Sequence, residues 1–376
     1  MPIEPRSPYS TRIRALQEDL GSAGLDALVV THLPNLRYVS GFSGTAGAAV
    51  LTPAACVLVV DFRYATSARE VLARQGDGPI DLVVVDRTYD ETLIDVLRQS
   101  DGRRIGIEGA SMTVNRFRLL SDVLAPSSST DPNRVLVPTD RLIERRRAVK
   151  DSVEIATLRS AAGLLSRVAR QVPAFVAPGR SELQVAADID AAIRAAGFER
   201  PAFETIVASG PNSARPHARP GGRLLADGDG VVLDFGGVYD GYCVDLTRTL
   251  HVGVAAPALR RLAAAVREAH AAAIAAVRPG IRPSEIDGAA RGVLSAHGLG
   301  EAFGHGTGHG LGLEVHEDPR ISKLPGALPN DPVVPGMVFT IEPGAYVEGL
   351  GGVRIEDDVL VTPDGCEVLT DVPIDL

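Results

Sequence analysis

Two β-rich apolar runs meet at Tyr239-Asp240-Gly241-Tyr242, and this junction constrains the fold more than any other part of the chain. Asp-Gly is the favoured centre of a two-residue type I′ hairpin, because both central residues need positive φ. Pairing Tyr239 with Tyr242 and continuing outward sets Asp234 opposite Thr247. Side chains alternate faces along a strand, so Asp245 shares a face with Thr247 and lies diagonal to Asp234, about 7 to 8 Å away at the backbone. Two carboxylates so placed repel unless a cation lies between them. The alternative is a pair of solvated acids on an exposed sheet. Against it, Val231, Val232 and Leu233 read as a buried strand, where an unpaired carboxylate is too costly.

Glycine fills every second position at Gly304, Gly306, Gly308, Gly310 and Gly312. That density disfavours a helix and excludes the helical two-histidine zinc motif for His305 and His309. As an extended segment it sets His305, Thr307 and His309 on one face, the two imidazoles about 13 Å apart. One imidazole is then a metal ligand and the other a substrate or transition-state contact. His316 follows in the same stretch. Glu342 ends the apolar run Val338 to Ile341 ahead of Pro343-Gly344, and Glu356 ends the run Val353 to Ile355. Both are strand-end positions beside turn chemistry. Asp357 and Asp358 take a supporting or solvent-facing role. In chain order, Asp234, Asp245, His309, Glu342 and Glu356 offer four carboxylates and one imidazole, a formal charge of about minus four suited to two divalent cations and to hydrolysis.

Composition narrows the partners. The net charge of -9 and the pI near 5.4 argue against nucleic acid, which requires a concentrated basic surface. Arg145, Arg146 and Arg147 read as a solvated helix face. Cys56, Cys243 and Cys366 are far apart and fit a reducing compartment. The N-terminal segment carries charges and prolines where a signal peptide needs an apolar core, and no apolar run is long enough to span a membrane, so a cytoplasmic location is expected.

At 376 residues two domains are expected. Thr11 to Ala23 has helical periodicity, while Ala27 to Val30, Ala55 to Val60 and Ile80 to Val85 read as buried strands, giving an α/β domain that ends near Pro138. A Ser/Pro/Asp-rich loop runs from Ala125 to Asn133. The stretch from Thr139 to Glu154 reads as a linker. Beyond it, helical patterns at Val153 to Gln171, Ser181 to Ala195, Ala258 to Val277 and Pro283 to Ala296 alternate with paired strands, an α+β pattern with antiparallel sheet. Ser181 and Ser284 are the expected N-caps.

As a set, VVLDFGG, YCVDLTRT, HGTGHGLGLEVHE, FTIEPG and VRIEDD resemble the pita-bread metallopeptidases, which include Xaa-Pro dipeptidase (prolidase), aminopeptidase P and methionine aminopeptidase. VVTHLPNLRYVSGFSG and DFRY resemble the N-terminal domain of the proline-specific branch. The resemblance implies a creatinase/prolidase-like domain over 1–138, a linker over 139–154 and a pita-bread catalytic domain over 155–376. It implies that Asp245 and Glu356 bridge two metals, that Asp234 binds one, and that His309 and Glu342 complete the other. Glu342 would also be the general base. His217, His305 and His316 match positions that hold substrate and stabilise the tetrahedral intermediate, and Arg354 matches a partner of the carboxylates. Manganese is the expected metal, with cobalt and zinc as alternatives, and a proline-containing di- or oligopeptide is the expected substrate. Arg320 resembles an arginine that holds the dipeptide carboxylate in some prolidases; a surface salt bridge is its competing role. The expectation is therefore a dipeptidase, with an aminopeptidase P acting on longer peptides or a non-catalytic binding protein as alternatives. The resemblance further implies a homodimer in which His32, Asn35 and Tyr38 could reach the partner's site.

Overall fold

A computed structural model of the chain describes residues 7–76, 78, 80–100, 102–124, 134–323 and 330–374. The loop expected from Ala125 to Asn133 lies outside the described residues. Two compact units divide between Arg146 and Arg147.

The first unit is α/β. Its elements are α1 (Pro8–Ser22), β1 (Ala27–Val30), α2 (Leu33–Ser40), β2 (Ala48–Leu51), β3 (Cys56–Val60), α3 (Ala65–Arg74), β4 (Ile80–Val84), α4 (Tyr89–Gln99), β5 (Arg104–Glu108), α5 (Val114–Leu124) and β6 (Val135–Thr139), with α6 (Leu142–Ala148) crossing the division. Among the described residues the strands form one mixed sheet in the order β4-β3-β2-β1-β5-β6. β1 and β2 are buried along their whole length, which is why they read as continuous apolar runs. The buried Glu108 carboxylate accepts from the Thr31 and His32 amides at 2.6 and 2.8 Å and from the Asn35 amide at 2.8 Å, holding the start of α2. Asn35 and Tyr38 are therefore packed inside their own unit. This overturns the expectation that they reach a partner's site; His32 is partly exposed.

The second unit is α+β. It comprises α7 (Ser152–Ala169), α8 (Glu182–Ala195), β7 (Arg200–Pro201), β8 (Ile206–Ser209), β9 (Gly230–Tyr239), β10 (Tyr242–His251), α9 (Pro257–Ala276), α10 (Pro283–Ala296), β11 (Gly308–Gly310), β12 (Glu317–Ile321), β13 (Val338–Ile341), β14 (Gly344–Val347), β15 (Gly351–Arg354), β16 (Asp357–Thr362) and β17 (Gly365–Val368). One sheet runs β10-β9-β7, with β8 also on β9; a second runs β12-β11-β13-β16-β17; β14 and β15 pair separately. Among the described residues every ladder of this unit is antiparallel.

The β9–β10 hairpin forms in the expected register, with Asp234 opposite Thr247. Asp240 and Gly241 both have positive φ, 44° and 69°. Alternation then divides the hairpin. Leu233, Phe235, Val244 and Leu246 pack against Leu158 and Leu165 of α7, which leaves Asp234 and Asp245 on the opposite face. Helices α9 and α10 cover the second sheet through Val266, Ile286, Phe339 and Val359.

Local chemistry explains most helix starts. Asp151 with Glu154, and Ser181 with Gln184, close capping boxes at α7 and α8. Ser284 is not an N-cap: Pro283 begins α10, so Ser284 falls in the first turn, and its amide donates to Asn330 Oδ1. The Arg145 to Arg147 run is also not a uniform solvated face. Arg147 is buried and donates to Glu314 and Glu317 at 2.8 and 2.5 Å, and Lys150 joins Glu317 at 3.3 Å. Among the described residues no helix is long and apolar enough to cross a membrane.

Candidate metal centre

A cavity of about 540 Å³ lies against the Asp234 and Asp245 face of the hairpin. Asp234, Asp245, His309, Glu342 and Glu356 line it, as do His217, His305, His316, Arg320 and Arg354. Elements far apart in sequence supply these groups because the two sheets bring their strand ends together. Glu342 directly follows β13, Glu356 lies between β15 and β16, and the Glu356 amide donates to the Thr247 carbonyl on the hairpin.

Glycine is what lets β11 sit between its neighbours. A β-carbon at Gly308 would collide with the Thr340 carbonyl, and one at Gly310 with the Asp318 carbonyl. The segment is not a continuous strand, however. Pairing covers Gly308–Gly310 and shifts register between His309 and Gly310. Thr307 consequently turns away from the cavity and is buried against Asp287, whereas His305 and His309 both line the wall.

The donor atoms converge. One ligand atom each from Asp245, His309 and Glu356 lies within 4.8 Å of the others. Asp234 Oδ1, Asp245 Oδ1 and Glu356 Oε1 are buried and have no hydrogen-bond partner among the described residues. Such oxygens, when ionised, need a cation in place of the lost water; without one the carboxyl keeps its proton. His309 offers the matching nitrogen. Its Nδ1 lies 3.1 Å from the Gly310 carbonyl, which can only accept, so Nδ1 carries the proton and Nε2 presents its lone pair, 3.7 Å from Glu342 Oε1. The residues present therefore fit divalent cations.

Surrounding groups fix the orientation of these donors. Thr247 donates to Glu356 Oε2 at 2.6 Å, and the Asp245 amide donates to Asp358 Oδ2 at 3.1 Å. Arg354, buried, donates to Asp234 Oδ2, to Tyr346 at 2.9 Å and to Thr247 at 3.2 Å. Asp357 pairs with Arg248 at 2.7 Å and Thr370 at 2.6 Å. Asp357 and Asp358 are thus buried supports and do not face solvent. The sequence reading missed Tyr346. The hydroxyl of this residue donates to His305 Nε2 at 2.9 Å, because His305 Nδ1 already donates to the Gly306 carbonyl at 2.8 Å. His217 and His316 are exposed at the mouth. The His316 ring packs edge-on against His309, centroids 4.3 Å apart.

Charge crowding shows in the acidities. Burial, then the neighbouring Glu356 and Asp234, push Asp245 well above the usual carboxylate range. Burial, then Glu342 and Asp234, do the same to Glu356. Glu342 is pushed up to about 7 by burial, with Arg354 opposing. Burial pushes His309 down to about 3 and His305 to about 4. Asp245, Glu342 and Glu356 hold protons in the fold that they release on unfolding, so their contribution to metal-free stability is present at low pH and lost as pH rises, for Glu342 through about 7. The histidines oppose this at lower pH, but above about 7 they are neutral in both states. Relative to Glu342→Gln, in which the histidines are unchanged, chelator-treated wild type should therefore lose stability from pH ~5 to ~7.5 and level off above, by at most ~1.4 kcal/mol per pH unit. A divalent cation should flatten that slope. Thermal unfolding of the two proteins at both pH values, with and without manganese, checks this; equal slopes in the two conditions would contradict the crowding.

The M24 model, "Metallopeptidase family M24", matches residues 156–363, more than half of the chain, and the "Creatinase/Prolidase N-terminal domain" model matches 12–149. The chain belongs to metallopeptidase family M24. An Xaa-Pro dipeptidase of Pyrococcus horikoshii is 31% identical over 96% of this chain and 96% of its own length. The structure of an Xaa-Pro dipeptidase from Bacillus anthracis matches with a TM-score of 0.91 at 32% identity, covering 98% of this chain and 99% of that one. An X-Pro aminopeptidase structure from Thermotoga maritima matches with a TM-score of 0.83 at 31% identity, covering 94% and 97%. The expected architecture, a creatinase-type N-terminal domain followed by a pita-bread catalytic domain, is the one found. This chain is a prolidase-like M24 metallopeptidase, a family that works with divalent metal ions.

Proposed function

We propose that this M24 enzyme is an Xaa-Pro dipeptidase, and the observation that carries the choice is Arg320. It lines the cavity and pairs through its backbone with His309 in the β11–β12 ladder, while its side chain has no hydrogen bond or ion pair among the described residues. This speaks against a surface salt bridge. Burial lowers its pKa, and the Glu342 carboxylate partly restores it. A half-buried guanidinium with free donors is a receptor for a planar carboxylate, and a dipeptide presents one a single residue beyond its scissile bond. Longer peptides have an amide there. Relatives bearing the name Xaa-Pro dipeptidase support the same choice.

In this reading Asp234, Asp245, His309, Glu342 and Glu356 would together hold two divalent metals. When bound, the metals supply a Lewis acid for the scissile carbonyl and lower the pKa of water. Manganese suits four hard carboxylates, with cobalt and zinc as substitutes. Glu342 takes a proton from the attacking water and returns it to the prolyl nitrogen as the C–N bond breaks. His217 and His316, at the mouth, orient the peptide and donate to the carbonyl oxygen as charge develops on it. His305 acts through Tyr346 and Arg354, since both of its ring nitrogens are engaged. We place the enzyme in the cytoplasm as a homodimer, which light scattering of the purified chain will test.

The deciding experiment compares initial rates on Ala-Pro and Ala-Pro-Ala, using chelator-stripped enzyme resupplied with manganese, cobalt or zinc. The dipeptide should be preferred. Arg320→Met should raise KM for Ala-Pro roughly 10- to 100-fold, in line with about 1.5 to 3 kcal/mol for a charged hydrogen bond, and leave the tripeptide rate unchanged. Tripeptide preference would make the chain an aminopeptidase P. No cleavage with any of the metals would leave a binding role.

A further inference from the structure

Two residues of α10 that line no part of the cavity hold the segment between Phe303 and Thr307 in place. Asp287 is fully buried and pairs with Arg291 one turn later, at 2.6 and 3.1 Å. Arg291 also donates to the Phe303 carbonyl at 2.8 Å and to the His305 carbonyl, and its guanidinium lies 4.2 Å from the Phe303 ring centroid. The Phe303 ring in turn meets the His305 imidazole edge-on, centroids 5.0 Å apart. From the other side Asp287 Oδ1 accepts from the Thr307 amide at 3.1 Å and the Thr307 hydroxyl at 2.9 Å. The Thr307 carbonyl then accepts the amide of Glu342 at 2.7 Å.

We propose that the Asp287–Arg291 pair is a positioning device for the reaction, setting the His305 imidazole and the Glu342 backbone through one rigid segment. The device has a clear physical need. Gly304 and Gly306 flank His305 and remove the side-chain restraint that would otherwise order this backbone. Arginine suits the task because its planar fork reaches two carbonyls and a carboxylate at once while stacking on an aromatic face, whereas lysine offers a single ammonium. His305 in turn anchors a chain of hydrogen bonds through Tyr346 and Arg354 to Asp234. Loosening the segment therefore disturbs the metal-facing carboxylate and the proton-carrying Glu342 together, while Arg320 and the mouth histidines are untouched.

This inference rests on the proposed role of Glu342, so its test has one arm that reads turnover and one that does not. Arg291→Lys and, as a milder change that removes only the hydroxyl bond, Thr307→Val would be compared with wild type in the full-length, manganese-loaded protein. For Ala-Pro, Arg291→Lys should lower kcat about 100-fold with KM within about threefold, the cost of a misplacement near 1 Å. Thr307→Val should lower kcat less, with the same constant KM. Independently of substrate, His305 should react at least ten times faster with diethyl pyrocarbonate in Arg291→Lys, mapped by mass spectrometry, while the exposed His297 is unchanged. Wild-type kcat in both variants, or a His305 as protected as in wild type, would overturn the proposal. Failure of wild type to cut Ala-Pro would instead remove the dipeptidase reading, and the His305 modification rate would then judge the clamp.

Discussion

Asp245→Ala is expected to abolish metal loading and to lower turnover by at least about 1,000-fold, since a bound metal supplies several kcal/mol of transition-state stabilisation. Asp245 is buried on the hairpin face away from Val244 and Leu246, and its Oδ1 belongs to the group of oxygens left without a donor among the described residues. The isosteric Asp245→Asn sharpens the test by separating metal binding from folding. In chelator it removes one of several crowded acids whose ionisation burial and Glu356 already disfavour, so the metal-free variant should melt above metal-free wild type. With metal the order should invert, because wild type gains RT ln(1 + [M]/Kd) and the variant does not. Melting curves at rising manganese concentration check the crossing. A metal-dependent rise in the variant equal to that of wild type would sink the assignment of Asp245.

The largest loss of stability should come from Arg354→Met. The guanidinium is buried and donates to Asp234 Oδ2, Tyr346, Thr247 and the Pro216 carbonyl. Burial works against its charge, and Tyr346, Asp234 and Glu342 together more than restore it. Removing one partner of a buried pair leaves the other uncompensated and costs about 3 to 5 kcal/mol. For a unit of this size that corresponds to a fall in Tm of roughly 10 °C. The fall should be smaller with metal bound, since the cation then compensates Asp234. A Tm within about 2 °C of wild type, in chelator, would show that the network contributes no net stability.

The hairpin was legible because its determinants are local. Asp-Gly sets the turn, the turn sets the register, and alternation sets Asp234 and Asp245 on the face away from Leu233 and Phe235. Glu342 and Glu356 were visible as acids ending apolar runs, but either alone reads as a surface residue, and only the series of five gave them a role. The alternating glycines read as an extended segment that cannot be a helix, and the structure adds what they admit, the carbonyls of Thr340 and Asp318. The misreadings share one physical origin. Arg147 lies in a run of three arginines that reads as solvated, yet Glu314 and Glu317, far along the chain, draw it inside. Asn35 and Tyr38 are expected, by resemblance, to be able to reach a partner's site, yet Glu108 and the core claim them. Thr307 reads as a neighbour of His305 and His309 on one strand face, yet Asp287 pulls the backbone out of the strand.

The amino-acid sequence by itself determined the donor types, their order, the hairpin that presents two of them and the apolar strands that deliver two more, because these depend on interactions spanning a few residues. Only the tertiary structure decided which nitrogen of His309 faces the carboxylates, which oxygens are left without donors, that Arg320 stands unpaired and that Asp287 and Arg291 stand behind His305. These depend on which buried polar atoms find a partner once the core has closed, whether that partner is the next residue, as Gly310 is for His309, or 120 residues away, as Arg354 is for Asp234.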